Sequence, residues 1–172
     1  MAPSTTPTQT ETRTGADTII KCLIDQGVEV VFGYPGGAVL PIYDEIFQQN
    51  HIQHVLVRHE QGAVHAAEGY ARATGKPGVA FVTRGPGATN ASAGVHIALQ
   101  DSTPMILFVG QVASDQRDRE AFQEVDYRQM FAPLAKWVAE IDRVDRIPEY
   151  ISRAFHMAVS GRPGPVVLAL PE

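Results

Sequence analysis

The 172-residue chain has a single cysteine, Cys22. One cysteine excludes an internal disulfide framework and suits a reducing compartment, so Cys22 is read as a core or flanking helix residue. Also missing is any apolar run near the roughly 20 residues that span a bilayer, and no cationic stretch followed by an apolar one opens the chain. These absences predict a cytoplasmic chain with no membrane contact. Basic clusters are lacking too, and 14 Lys and Arg against 19 Asp and Glu leave a formal charge of −5. Nucleic acid would demand a positive face, so it is excluded as a partner and the charge is assigned to solubility. No repeat of fixed period and no internal linker divides the sequence.

What is present suffices for one core: 44% of the residues are hydrophobic, enough for a single domain over 14–172. Residues 1–13, dominated by Thr, Pro, Ser and Gln, bury too little apolar surface to offset ordering entropy and are expected to form a disordered tail. Thr14 and Asp17 make a cap signal ahead of Ala16, Ile19, Ile20, Leu23 and Ile24 on one helical face, and Gly27 ends that helix. Strands are expected at 28–32, 55–57, 79–83, 105–109, 136–140 and 165–170. Between them helices are expected at 39–48, 61–74, 88–100, 120–131 and 146–160, the first of these holding Leu40, Tyr43, Ile46 and Phe47. Continuous Val/Ile/Leu runs alternating with helices imply an α/β domain of three layers. Its sheet is parallel, of about six strands, with helices on both faces. A core strand followed at once by Pro171 and Glu172 suggests the first domain of something longer.

Chemistry starts at Glu60. The run Val55 to Val57 reads as a buried strand, and Ala63, Val64, Ala67 and Ala71 then recur at helical spacing, so Glu60 falls at a strand-to-helix turn. In open α/β sheets ligands bind outside the carboxyl ends of the strands. A helix N-terminus favours the carboxylate there, whereas burial under a ligand opposes its charge. Three glycine-containing turns, Gly33 to Gly37, Gly85 to Asn90 and Gly110-Gln111, occupy corresponding strand ends. Each alone is what a tight turn needs; together, beside Glu60, they suggest backbone approaching a ligand.

Standard phosphate loops do not account for these turns. Gly85-x-Gly87-x-x-Asn90 lacks the third glycine of a dinucleotide loop, and Gly69 to Pro77 has five residues where a P-loop has four and Pro77 where a hydroxyl is needed. A nucleotide-binding module is therefore the second choice. His51 and His54 lack the Cys or acid that a zinc site would add, so no metal ligand is assigned and both are read as surface residues. His59 and His65 are expected to pack around the Glu60 helix.

Five segments in order carry a resemblance: "GYPGGAVLPIYD" at 33–44, "RHEQGAVHAAEGYARATGKPG" at 58–78, "GPGATN" at 85–90, "AFQE" at 121–124 and "SGRPGPVVLALP" at 160–171. Over about residues 15–172 the chain resembles the N-terminal, pyrimidine-binding domain of thiamine-diphosphate-dependent acetolactate (acetohydroxyacid) synthase large subunits. The middle and diphosphate-binding domains of that family lie outside this sequence. The resemblance implies that Glu60 bonds the aminopyrimidine of thiamine diphosphate and relays a proton through it. Gly37 and Ala38 are implied to lie close to the cofactor, with Asn90 and Ser102 near it. Phe122 and Gln123 would reach a neighbouring active site, Gln123 with a catalytic and cofactor-binding role. Lys136 is implied for the substrate channel and Arg162 for FAD. The family further implies Mg²⁺, mostly held elsewhere, a homodimer or higher self-assembly, and a regulatory subunit.

Two departures bear on the substrate side. Arg84 stands where the family has a small Ser, and "ASDQRDRE" at 113–120 is more charged than the family's apolar loop. Related decarboxylases, oxidases and carboligases share this domain, so the expected reaction is decarboxylation of pyruvate and ligation to a second 2-oxo acid, or a related thiamine-diphosphate reaction. The isolated domain is expected to be nearly inert. The alternative from another class is a non-catalytic, self-associating interaction module.

Overall fold

The computed structural model describes residues 12–172, and the disordered tail expected at 1–13 lies, for 1–11, outside the described residues. Helix α1 (Gly15–Asp25) begins where Thr14 accepts the Asp17 amide, as the cap signal predicts. Next come β1 (Val30–Gly33), a 3₁₀ turn at Gly37–Val39, α2 (Leu40–Phe47), β2 (Gln53–Leu56), α3 (Glu60–Thr74), β3 (Gly78–Val82) and α4 (Gly85–Gln100). The second half comprises β4 (Met105–Gln111), α5 (Tyr127–Phe131), β5 (Trp137–Glu140), α6 (Ile147–Val159) and β6 (Pro165–Pro171). Every strand pair is parallel, in the order β2-β1-β3-β4-β6-β5.

Alternation along the central strands divides the core. Val79, Phe81, Ile106, Phe108, Val166 and Leu168 pack beneath α1, α2 and α6. Ala80, Val82, Leu107, Val109, Val167 and Ala169 pack beneath α3, α4 and α5. Side chains of a strand point to opposite faces in turn, and both faces are buried, so these strands read as unbroken apolar runs. The expected three-layer α/β domain is what forms. Because α2 leaves β1 on one face and α4 leaves the neighbouring β3 on the other, the turns after β1 and β3 diverge and open a crevice at the strand ends.

Three local expectations fail. The run Val55 to Val57 is not a buried strand: β2 is an edge strand, Leu56 is 63% exposed and Val57 lies past its end. Leu40 and Phe47 do not share the buried face of α2; Phe47 is 88% exposed, and Ile42 joins the expected Ile46 in the core. The helix expected at 120–131 is present only at Tyr127–Phe131. Asp118, Glu120 and Gln123 have positive φ, which ends any helix, and the Glu124 carboxylate accepts the amides of Asp118 and Ala121 at 2.7 and 3.1 Å. Cys22 flanks the core at the rim of α1, as expected.

Helix α3 touches β3 at a point where no side chain fits. A Cβ at Gly78 would lie 2.0 Å from the Ala67 carbonyl oxygen, whereas one at Gly69, inside α3, would meet nothing within 4 Å. Gly78→Ala is therefore expected to destabilise the chain by at least about 2 kcal/mol, and Gly69→Ala to stabilise it by about 0.5–1 kcal/mol. Urea midpoints of the two variants check this; a shift of the same sign in both would contradict it.

Candidate functional site

Glu60 is the first residue of α3, and His59 caps that helix by accepting the Gln61 amide at Nδ1, 3.2 Å away. His65, one turn on, contacts the Gln61 side chain at 3.2 Å, so both histidines attend this helix as expected. The Glu60 residue is 8% exposed although it carries a carboxyl group. Asn90 Nδ2 donates to Oε2 at 2.9 Å. Oε1 has no donor among the described residues and lies 3.4 Å from where Gly87 would carry a Cβ. Gly87 and Asn90 are three residues apart on α4 and so share one face of it. The acid is thereby held between the N-termini of two helices, both of which favour negative charge.

Close helix packing sets that distance. Ala63, Ala67, Ala88 and Ala91 are fully buried, and a Cβ at Gly94 would come within 2.5 Å of Val64. On the far side of the crevice Tyr43 donates to the Phe81 carbonyl at 3.2 Å. Burial first, and the nearby Glu60 charge second, push its phenol well above the usual range. Gly33 is required by this tyrosine, whose oxygen would sit 2.0 Å from any Cβ there. Gly110 is required by Ala38, whose Cβ would lie 2.7 Å away. These two glycines thus serve contacts within the chain, whereas Gly37 and Gly87 border the crevice.

The segment after β4 closes over the same edge. Gln111, fully buried, donates to the Val125 carbonyl at 2.8 Å, and Arg117 pairs with Glu140 at 2.8 Å and Glu124 at 3.6 Å. The backbone amide of Asp118 is the main influence holding the Glu124 carboxyl below the usual carboxylate range. So pinned, the loop brings the Gln123 carbonyl to the Gly85 amide at 3.0 Å and leaves Phe122 75% exposed. Positive φ at three non-glycine residues in this segment is a strain that folds concentrate at functional edges.

The structure therefore gathers Gly37, Ala38, Glu60, Asn90, Phe122 and Gln123 at the carboxyl edge of the sheet. Ser102, Lys136 and Arg162 lie at the opposite edge, beyond the far end of α4, whose 16 residues span about 24 Å. There Arg162 donates to the Ser102 hydroxyl at 2.8 Å and to the Leu99 and Gln100 carbonyls, closing the C-terminus of α4. Lys136 donates to the Ser160 carbonyl. Within one copy of the chain, then, Ser102 is not beside Glu60. Sequence reasoning did not single out Tyr43, and it noticed Arg84 only as a departure. The pattern Asp126-x-x-Gln129, a capping box whose amide bond measures 3.1 Å, was the available signal for where α5 starts.

Residues 13–130 match the family described as "Thiamine pyrophosphate enzyme, N-terminal TPP binding domain". The chain is similar to the acetolactate synthase isozyme 3 large subunit of Escherichia coli (strain K12), 51% identical over 94% of this chain and 28% of that protein. It is 48% identical to the acetolactate synthase large subunit of Lactococcus lactis subsp. lactis, over 92% of this chain and 28% of the relative. A probable acetolactate synthase large subunit of Methanocaldococcus jannaschii is likewise 48% identical, over 92% and 27%. The chain thus spans little more than a quarter of these relatives.

His54 is more enclosed than the surface position expected for it. Its ring stands edge-on to Tyr43 at 4.9 Å and its Nε2 is buried without a partner. Burial lowers its pKa, against a smaller opposing effect of a hydrogen bond to the Gly33 backbone. The folded chain thus binds this proton less readily than the unfolded chain does. The contribution of His54 is intact above about pH 6.5, the unfolded value, and is lost as pH falls from there through the folded value. NMR titration should find His54 protonating below the ordinary histidine value of about 6.5, and His54→Gln should flatten stability between pH 6.5 and 5; a His54 ring that titrates at or above the ordinary value would contradict this.

Proposed function

The chain belongs to the thiamine pyrophosphate enzymes as an N-terminal TPP-binding domain, and on that premise we propose that it is the pyrimidine-binding part of a 2-oxo acid decarboxylase and carboligase of the acetolactate synthase kind. The observation that carries this reading is the buried Glu60 carboxyl, fixed through one oxygen by Asn90 and open at the other beside Gly87. Thiamine diphosphate, when bound, supplies the electron sink that lets a 2-oxo acid lose CO₂ and its remainder join a second 2-oxo acid. Glu60 would hold the aminopyrimidine of the cofactor and exchange a proton at Oε1. Asn90 keeps the carboxyl oriented during that exchange. Gly37, where a Cβ would crowd Arg84, and Gly87, where one would crowd Thr83 and come into contact with Glu60, keep the crevice wall thin, and buried Ala38 backs it.

Phe122 and Gln123 border the substrate path of this site or of a second copy's, with Gln123 in contact with the cofactor. Lys136 lines the substrate channel, Ser102 reaches a cofactor, and Arg162 contacts FAD. Their place at the opposite edge supports assigning these three to contacts formed with the rest of a larger assembly. Mg²⁺ and the diphosphate are assigned to the diphosphate-binding domain, where carboxylate, amide and backbone oxygens would complete the shell of a hard cation. The middle and diphosphate-binding domains, a second copy of the chain and a regulatory subunit are the proposed partners, and the cytoplasm the proposed location. Among the described residues no helix is long and apolar enough to cross a membrane.

A self-associating role is favoured by one further observation: Tyr34 just past β1, Leu56 at the end of β2 and Phe122 in the loop after β4 are exposed apolar residues at the same edge as Glu60. Surfaces of this kind mark contact sites. The chain is accordingly expected to form dimers or higher oligomers at high micromolar concentration, and Phe122→Asp, which forces a charge to be desolvated at a cost of several kcal/mol, to dissociate them. Sedimentation finding a monomer, or an oligomer indifferent to the substitution, would remove this surface from consideration.

For the chemistry, Glu60→Gln in the full-length protein keeps the shape of the side chain and removes its acid–base function. Turnover should fall about 10²–10⁴-fold with thiamine diphosphate still bound. A variant within twofold of the parent would rule out the proposed role of Glu60.

A further inference from the structure

We infer that Arg84 anchors a carboxylate that a 2-oxo acid substrate keeps through the reaction, an inference that rests on the function proposed above. Arg84 is the N-cap of α4, a position where Ser, Thr, Asp or Asn would accept a backbone amide, and its side chain makes no such bond. Its charge also sits against the positive end of that helix. A residue that forgoes local stability in both ways is expected where function requires the charge.

The surroundings of the guanidinium supply that requirement. Its side chain is 18% exposed, and its one carboxylate partner among the described residues is Glu172, 3.4 Å away and 42% exposed. Nε is buried with no acceptor, as is the hydroxyl of the adjoining Thr83. Nη2 lies 3.2 Å from where Gly37 would carry a Cβ, and the guanidinium carbon is 5.9 Å from the centre of the Phe122 ring. Thr83 in turn backs onto Gly36 and Gly87, and Gly87 onto Glu60. An underpaired cation with its own orphaned Nε, and the orphaned Thr83 hydroxyl beside it, thus flank the wall that ends at the proposed acid. A planar guanidinium whose Nε lacks an acceptor suits a carboxylate, which it can hold by charge-assisted hydrogen bonds.

Reaction chemistry selects which carboxylate. The one that leaves as CO₂ loses its charge on the way to the transition state, so a cation bonded to it would stabilise the starting acid more than the transition state and slow the step. Arg84 suits a carboxylate that survives: that of the acceptor 2-oxo acid, or the distal one of a dicarboxylic donor.

Two measurements test this. In the 172-residue chain without cofactor, the Arg84 Nε–H resonance is followed by NMR as 2-oxoglutarate, or its uncharged dimethyl ester, is added. The anion alone should shift it saturably, and at several-fold lower concentration in Glu172→Gln, which removes the competing carboxylate. In the full-length holoenzyme, Arg84→Gln should lower one of two preferences by about 10- to 100-fold, the usual size of a hydrogen bond to a charged group, with Arg84→Lys recovering part. Loss of preference for 2-oxobutyrate over propanal as acceptor identifies the acceptor carboxylate; loss of preference for 2-oxoglutarate over 2-oxobutyrate as donor identifies the distal one. A resonance that ignores the anion, or an Arg84→Gln enzyme in which neither preference moves, overturns the inference. A saturable shift in the chain, combined with a fully active Glu60→Gln enzyme, keeps the anion site and discards the thiamine reading instead.

Discussion

A carboxyl group removed from water needs donors or a favourable field, and Glu60 finds both only because the N-termini of α3 and α4 meet. Taking such a group out of solvent costs several kcal/mol. The Asn90 hydrogen bond, of a kind contributing about 1.5–3 kcal/mol to a charged partner, and the two helix ends offset part of that. The meeting depends in turn on small residues: alanines line the facing sides of α3 and α4, and Gly94 leaves room for Val64. A larger residue at this helix contact would move Asn90 away from Glu60 without touching either. Composition of a helix face thus reaches the proposed chemistry through a single distance.

The two edges of the sheet do different work. At the carboxyl edge, turns diverge around the β1–β3 crevice, orphaned polar atoms collect at Thr83 and Arg84, and a strained loop closes over Gly85. At the amino edge, polar groups are mutually satisfied: Arg162 caps α4, and Glu68, Arg72, Thr103 and Asp101 bind α3 to the start of β4. Unsatisfied groups beside satisfied ones are the mark of a surface built to meet something else.

Much of this was legible in the sequence because the signals were local and redundant. Alternating apolar runs fixed the parallel sheet, and Thr14 and Asp17 the start of α1. Glu60 at a strand end, with glycines at the neighbouring strand ends, pointed to the edge that carries the candidate site. What was not legible depended on neighbours distant in sequence. An edge strand and a central strand read alike as three apolar residues, so the exposure of Leu56 was invisible. Alanine and phenylalanine at 121–122 suit a helix, but the backbone at Glu120 and Gln123 takes positive φ, which a right-handed helix does not accommodate. Motif similarity placed Ser102, Lys136 and Arg162 in the same functional set as Glu60, and only the length of α4 separates them.

The central claim, that Glu60 is the group which holds the aminopyrimidine, is tested most directly by a crystal structure of the full-length protein with thiamine diphosphate bound. It should show Glu60 Oε1 within about 2.6–3.2 Å of a pyrimidine ring nitrogen while Oε2 keeps its bond to Asn90. A cofactor whose pyrimidine lies elsewhere, with Glu60 still bonded only to Asn90, would contradict it.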